Sequence, residues 1–89
     1  MNKNQLDLTI KSQTGSTWPN AEFNLHQKVR LVLEEAIQHF HLDSSLQYEV
    51  ILVQGGAQLS LQLEDSLEEA GVHSGDTLLV RTIGRTVDG

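Results

Sequence analysis

The chemistry this chain can offer is concentrated at its end. Leu78-Leu79-Val80-Arg81-Thr82-Ile83-Gly84-Arg85-Thr86-Val87-Asp88-Gly89 runs from an apolar strand into a small polar tail that stops on glycine. A tail ending on an unbranched residue can be threaded into another protein's active site, and the Gly89 carboxylate has no Cβ beside it to crowd an approaching group. The other constellations offer less. His39 and His41 stand two apart, which points them to different sides of a helix, and His26 and His73 have no carboxylate at ligand spacing, so no metal site is expected. Ser, His and Asp are all present, but a chain this short offers no cleft to shelter a catalytic triad. Neither an enzyme nor a resident cofactor is expected.

The elements that position the tail must come from one small domain. At 89 residues there is one core, burying roughly 60 to 65% of the unfolded surface, with little room for a deep pocket. Six Lys and Arg stand against 12 Asp and Glu, a formal charge of -6. That balance repels phosphate backbones and anionic lipid, so neither nucleic acid nor a membrane surface is an expected partner. Cysteine is absent, which removes disulfides, thiolate metal sites and cysteine nucleophiles together. Met1-Asn2-Lys3-Asn4-Gln5 lacks the apolar run of a signal peptide, and no stretch approaches the ~20 apolar residues of a membrane span. The expected compartment is the cytoplasm.

Hydropathy alternation sets out the elements. Leu6, Leu8 and Ile10 alternate with polar residues, as in a half-buried strand. Thr14-Gly15-Ser16 is a turn, and Ala21, Phe23 and Leu25 form the second arm of an antiparallel hairpin, with Pro19 at the strand start or on a free edge. From His26 to Phe40 the period becomes helical, with Val29, Leu33, Ala36, Ile37 and Phe40 on one face and Arg30, Glu34, Glu35 and Gln38 on the other. Residues 47–54 form a third strand ended by Gly55-Gly56, and Leu59, Leu61 and Leu63 a short fourth. Asp65 to Gly71 reads as one helical or 3₁₀ turn with Gly at its close. After the Ser74-Gly75-Asp76 turn, Thr77 to Thr82 is the last strand. One helix must therefore cover one face of a four- or five-stranded sheet, an α+β arrangement.

In that order and spacing the chain resembles the ubiquitin-like, or β-grasp, proteins from Leu6 to about Thr82. Leu8 to Gly15 is similar to ubiquitin's opening strand and Thr-Gly turn, and Tyr48 to Gly56 to its central strand and glycine turn. Asp65-Ser66-Leu67-Glu68-Glu69-Ala70-Gly71-Val72-His73-Ser74-Gly75-Asp76-Thr77-Leu78-Leu79-Val80 is similar to its leucine-containing turn and last strand. The resemblance implies a mixed four- to five-stranded sheet with one long helix packed across it, a flexible N-terminus over 1–5, a domain over 6–82 and a flexible tail over 83–89. The Gly71 to Asp76 turn looks most like bacterial ubiquitin-like modifiers encoded with their own activating enzyme, conjugating enzyme and JAB-type metalloprotease, some of them in antiphage defence. Those enzymes and a target protein are the partners it implies.

On that resemblance the Gly89 carboxylate is the site of activation and conjugation, and Arg81 and Arg85 are docking charges for the activating enzyme. This chain departs from ubiquitin in ending Val87-Asp88-Gly89, without a diglycine, and in extending about three residues further past the last strand. Ubiquitin's recognition patch uses three apolar residues. Here Ile51 or Leu52 falls near one of them, Arg81 takes the place of another, and the polar Gln13-Thr14 turn takes the place of the third. A partner surface of its own is expected around Ile51 and Leu79. The alternatives are a non-conjugating adaptor of the type VII secretion kind, docking by its sheet face, and a sulfur carrier that would use the same carboxylate.

Overall fold

The computed structural model describes residues 4–83. Its elements are β1 (Gln5–Ser12), β2 (Thr17–Asn24), α1 (Val29–Phe40), β3 (Tyr48–Gln54), β4 (Ala57–Ser60) and β5 (Thr77–Thr82). The strands form one sheet in the order β2-β1-β5-β3-β4. β1 and β5 run parallel at its centre, and the other three pairings are antiparallel. Parallel neighbours need a long crossover, here supplied by everything from β2 to the turn before β5. This is the β-grasp arrangement, with α1 packed across one face.

The period-2 strands turn Leu6, Leu8 and Ile10 of β1, Tyr48, Val50 and Leu52 of β3, and Leu78 and Val80 of β5 into one core. Against them α1 sets Val29, Val32, Leu33 and Ala36, an i, i+3, i+4, i+7 stripe. Val32 is fully buried and belongs to that stripe although the sequence reading passed over it. Ile37 and Phe40 pack only at the rim. There Trp18 of β2 stacks on His39, with ring centroids 4.1 Å apart, and meets Phe23 edge-on.

Of three local structures, β4 differs from expectation, while Pro19 on a free edge and the turn over 65–71 follow it. β2 starts at Thr17, because Trp18 pairs with Ile10. Pro19 and Asn20 form a bulge on this edge strand, where a missing N–H costs no ladder bond. β4 ends at Ser60, so the Leu59, Leu61, Leu63 alternation is not one strand. Leu61 and Leu63 instead pack on the core while Leu59 is exposed. The chain leaves the sheet there to cap α1: the Val29 and Arg30 N–H groups donate to the carbonyls of Asp65 and Leu63 at 2.8 and 2.9 Å, and no side chain caps the helix. Residues 65–71 form a hydrogen-bonded turn. Ser66 N–H donates to Glu69 Oε1 and Glu69 N–H to Ser66 Oγ, the reciprocal pattern of a capping box. Leu67, fully buried, hangs from this turn into the core.

Candidate functional site

Because α1 covers one sheet face, the residues alternating with the core must line the other. The register groups them into rows. Lys11, Leu79, Ile51 and Ser60 lie side by side across β1, β5, β3 and β4. On one side of that row stand Thr9, Thr77, Val53 and Gln58, and on the other stand Arg81 and Glu49. The alternative between Ile51 and Leu52 is thereby settled: Leu52 faces the core, and Ile51 faces outward opposite Leu79. The structure thus brings together the two residues expected to centre a partner surface.

Ile51 is nevertheless only 2% exposed, although it lies outside the core cluster. A chain of hydrogen bonds runs around it. Ser60, directly opposite on β4, donates from Oγ to Glu49 Oε1 at 3.1 Å, and Arg81 donates from Nε to Glu49 Oε2 at 2.8 Å. Arg81 and Ser60 together hold the Glu49 carboxyl below the ordinary carboxylate range, Arg81 being the larger cause. The face therefore presents Leu79 half-buried on a sunken apolar floor, bordered by an ion pair and by Lys11. Arg81, expected as a docking charge, is already engaged with Glu49.

Sequence reading found neither Glu49 nor Ser60, since only the β3 pairings place them beside Arg81 and Ile51. It also gave no role to Gln13, whose side chain reaches Thr82 at the end of β5. Arg85 and Gly89 lie outside the described residues. What is described is the point from which they depart: Thr82 pairs with Tyr48, and Ile83 N–H donates to the Gln47 carbonyl at 3.0 Å. Among the described residues no three His, Cys, Asp or Glu side chains gather as a metal site, and no helix is long and apolar enough to cross a membrane.

No protein-family model matches the chain, and no curated protein matches it. Solved structures do. A protein designed on the basis of ubiquitin superposes with a TM-score of 0.74 at 19% identity, covering 99% of this chain and 100% of its own. The C-terminal ubiquitin-like domain of mouse tubulin-specific chaperone e gives a TM-score of 0.76 at 20% identity, covering 96% of this chain and 93% of that one. The ubiquitin-like domain of yeast Ddi1 gives 0.67 at 22%, covering 97% and 99%. At these identities the likeness is one of fold, and the fold is ubiquitin-like.

Proposed function

We propose, with the ubiquitin-like fold as premise, that this chain is a protein modifier whose acyl donor is a carboxylate at Gly89, either present as synthesised or exposed by processing. The observation that carries this reading is the position of β5. It lies between β1 and β3, held by strands on both sides, and Gly89 follows it seven positions after Thr82 in the sequence. A segment attached to a strand paired on both sides can be drawn into an enzyme without unravelling the domain. In the proposed reaction an ATP-dependent activating enzyme adenylates the Gly89 carboxylate and releases pyrophosphate. An enzyme thiolate then displaces AMP, and an amine of the target protein displaces the thiolate to leave an amide. The chain contributes the acyl group and a docking face, and no catalytic side chain. A conjugating enzyme and a JAB-type metalloprotease would complete the cycle, and the Gly71 to Asp76 turn supports a bacterial system of this kind, including one in antiphage defence.

The test is incubation with ATP, Mg²⁺ and an activating enzyme of the bacterial ubiquitin-like class. Pyrophosphate exchange and an adduct lighter by one water than the sum of its partners are expected. Deleting Gly89 should abolish both and leave the unfolding midpoint unchanged. Conjugation that survives the deletion would refute the modifier.

A second reading is favoured by the Ile51–Leu79 row itself: an adaptor that docks by the open sheet face and needs no free carboxylate. Two of the similar structures are ubiquitin-like domains of other proteins, so the fold does not by itself require conjugation.

A further inference from the structure

We propose that Gln13 is the residue that clamps the end of β5, the strand from which the tail is reached, against β1. The parallel ladder between β1 and β5 ends at Ser12 and Val80, where the main chain of β1 turns away through Thr14 and Gly15. Gln13 continues the ladder in two ways. Its N–H donates to the Val80 carbonyl at 3.1 Å, and its side-chain Oε1 accepts from the Thr82 N–H at 2.8 Å and from Thr82 Oγ1 at 3.3 Å. Thr82 N–H is a donor, so the amide must present its oxygen there. The side chain thus acts as one further rung of strand after the backbone has left.

The turn that carries Gln13 is itself fixed. The Ser12 side chain is 4% exposed, shares a 2.7 Å hydrogen bond with Thr14 Oγ1 and accepts the N–H groups of Thr14 and Ser16. On the other side of β5, Ile83 N–H is taken by Gln47. Thr82 and Ile83 are therefore held from opposite neighbours. Without the Gln13 acceptor the end of β5 is left with its β3 partners alone, and the Thr82 N–H opens more readily on the β1 side. Under the modifier reading, on which this consequence rests, an enzyme drawing on the acyl donor would pull on a less firmly held strand end. Gln13 is then a positioning residue for the acyl donor.

Two variants separate this role from a general structural one. Gln13→Leu keeps the bulk and loses the acceptor, whereas Gln13→Glu keeps an acceptor oxygen. Amide exchange followed by NMR should show the Thr82 N–H exchanging about 3- to 10-fold faster in Gln13→Leu, the scale of one hydrogen bond. Leu78 and Val80 should be unchanged, and Gln13→Glu should restore Thr82 to wild-type protection. Trypsin should cut the Arg81–Thr82 bond faster in Gln13→Leu alone. Equal Thr82 protection in all three proteins, or a loss shared by Leu78 and Val80, would overturn the proposal. Neither measurement requires an activating enzyme, so a failed modifier reading, seen as conjugation without Gly89, stays distinguishable from a failed clamp.

Discussion

The open face of the sheet turns on one charged pair. Arg81 and Glu49 face each other across β5 and β3, and the pair closes the floor around Ile51 while still half in contact with solvent. An ion pair so exposed adds little to stability, so its main effect is to hold two side chains in one geometry beside Ile51. Its electrostatics can be read through Glu49, whose carboxyl is held below the ordinary range chiefly by Arg81. A carboxylate depressed in the folded state contributes stability above its unfolded pKa, about 4.3, and loses that contribution as pH falls through the lower folded value. Replacing Arg81 by Ala should therefore raise the Glu49 titration midpoint, followed by NMR at its side-chain carbonyl carbon, and flatten the acid limb of stability below about pH 4.3. A midpoint that stays put would show Ser60 alone to be enough. Asp43, lowered by the Ser45 hydroxyl and N–H, titrates in the same sense and should not respond to Arg81→Ala, which makes it an internal reference.

The helix shows which parts of the element order could be read in advance. Alternation at Leu6, Leu8 and Ile10 and at Leu78 and Val80 made β1 and β5 legible, since each strand buries one face only. The apolar stripe of α1 was legible for the same reason. Its finish at Phe40 was legible too, whereas its start falls at Val29 and not at His26, because backbone carbonyls rather than a recognisable cap residue close it. Asp65 and Leu63 carbonyls cap the start, and at the finish His41 adopts a left-handed φ of 57° while its N–H and that of Leu42 return to Gln38 and Ile37. This is the geometry usually given to glycine. A left-handed non-glycine residue costs roughly 1 to 2 kcal/mol, against about 0.4 to 1 kcal/mol for the added freedom of glycine in the unfolded chain. His41→Gly should accordingly raise the denaturant midpoint, for a net gain of up to about 1 kcal/mol with an unchanged m-value. A lowered midpoint would mean that the imidazole makes a stabilising contact outweighing the strain. The outer face was legible only in part. Ile51 and Leu79 stood out as apolar residues, but that they are opposite each other, and that Glu49, Ser60 and Gln13 complete their surroundings, depends on strand register, which no local pattern encodes.

At the scale of the whole molecule, the sheet has one face under α1 and one face outside the core cluster. The apolar cluster under α1 holds the fold together, and the opposite face can change without emptying it. Leu79 lies on that face, half-buried and outside the core cluster, so Leu79→Asp should leave the far-ultraviolet dichroism intact while placing a like charge beside Glu49 and a carboxylate on the apolar floor. The chain as a whole carries a formal charge of -6, so a partner that docks on it should present a basic surface, and their encounter should slow as salt screens it. In the activation assay Leu79→Asp should raise KM about 10-fold or more with kcat nearly unchanged, because the face supplies binding and no reacting atom. Raising the salt from about 50 to 500 mM, which cuts the Debye length roughly threefold, should raise KM of the unaltered chain in the same way. Deletion of Gly89 should act in the opposite manner, abolishing turnover while the deleted chain still competes with the intact one for the enzyme. A Leu79→Asp variant that lowers kcat at constant KM would remove the outer face from docking, and a Gly89 deletion that fails to compete would place the binding energy in the tail rather than in the sheet.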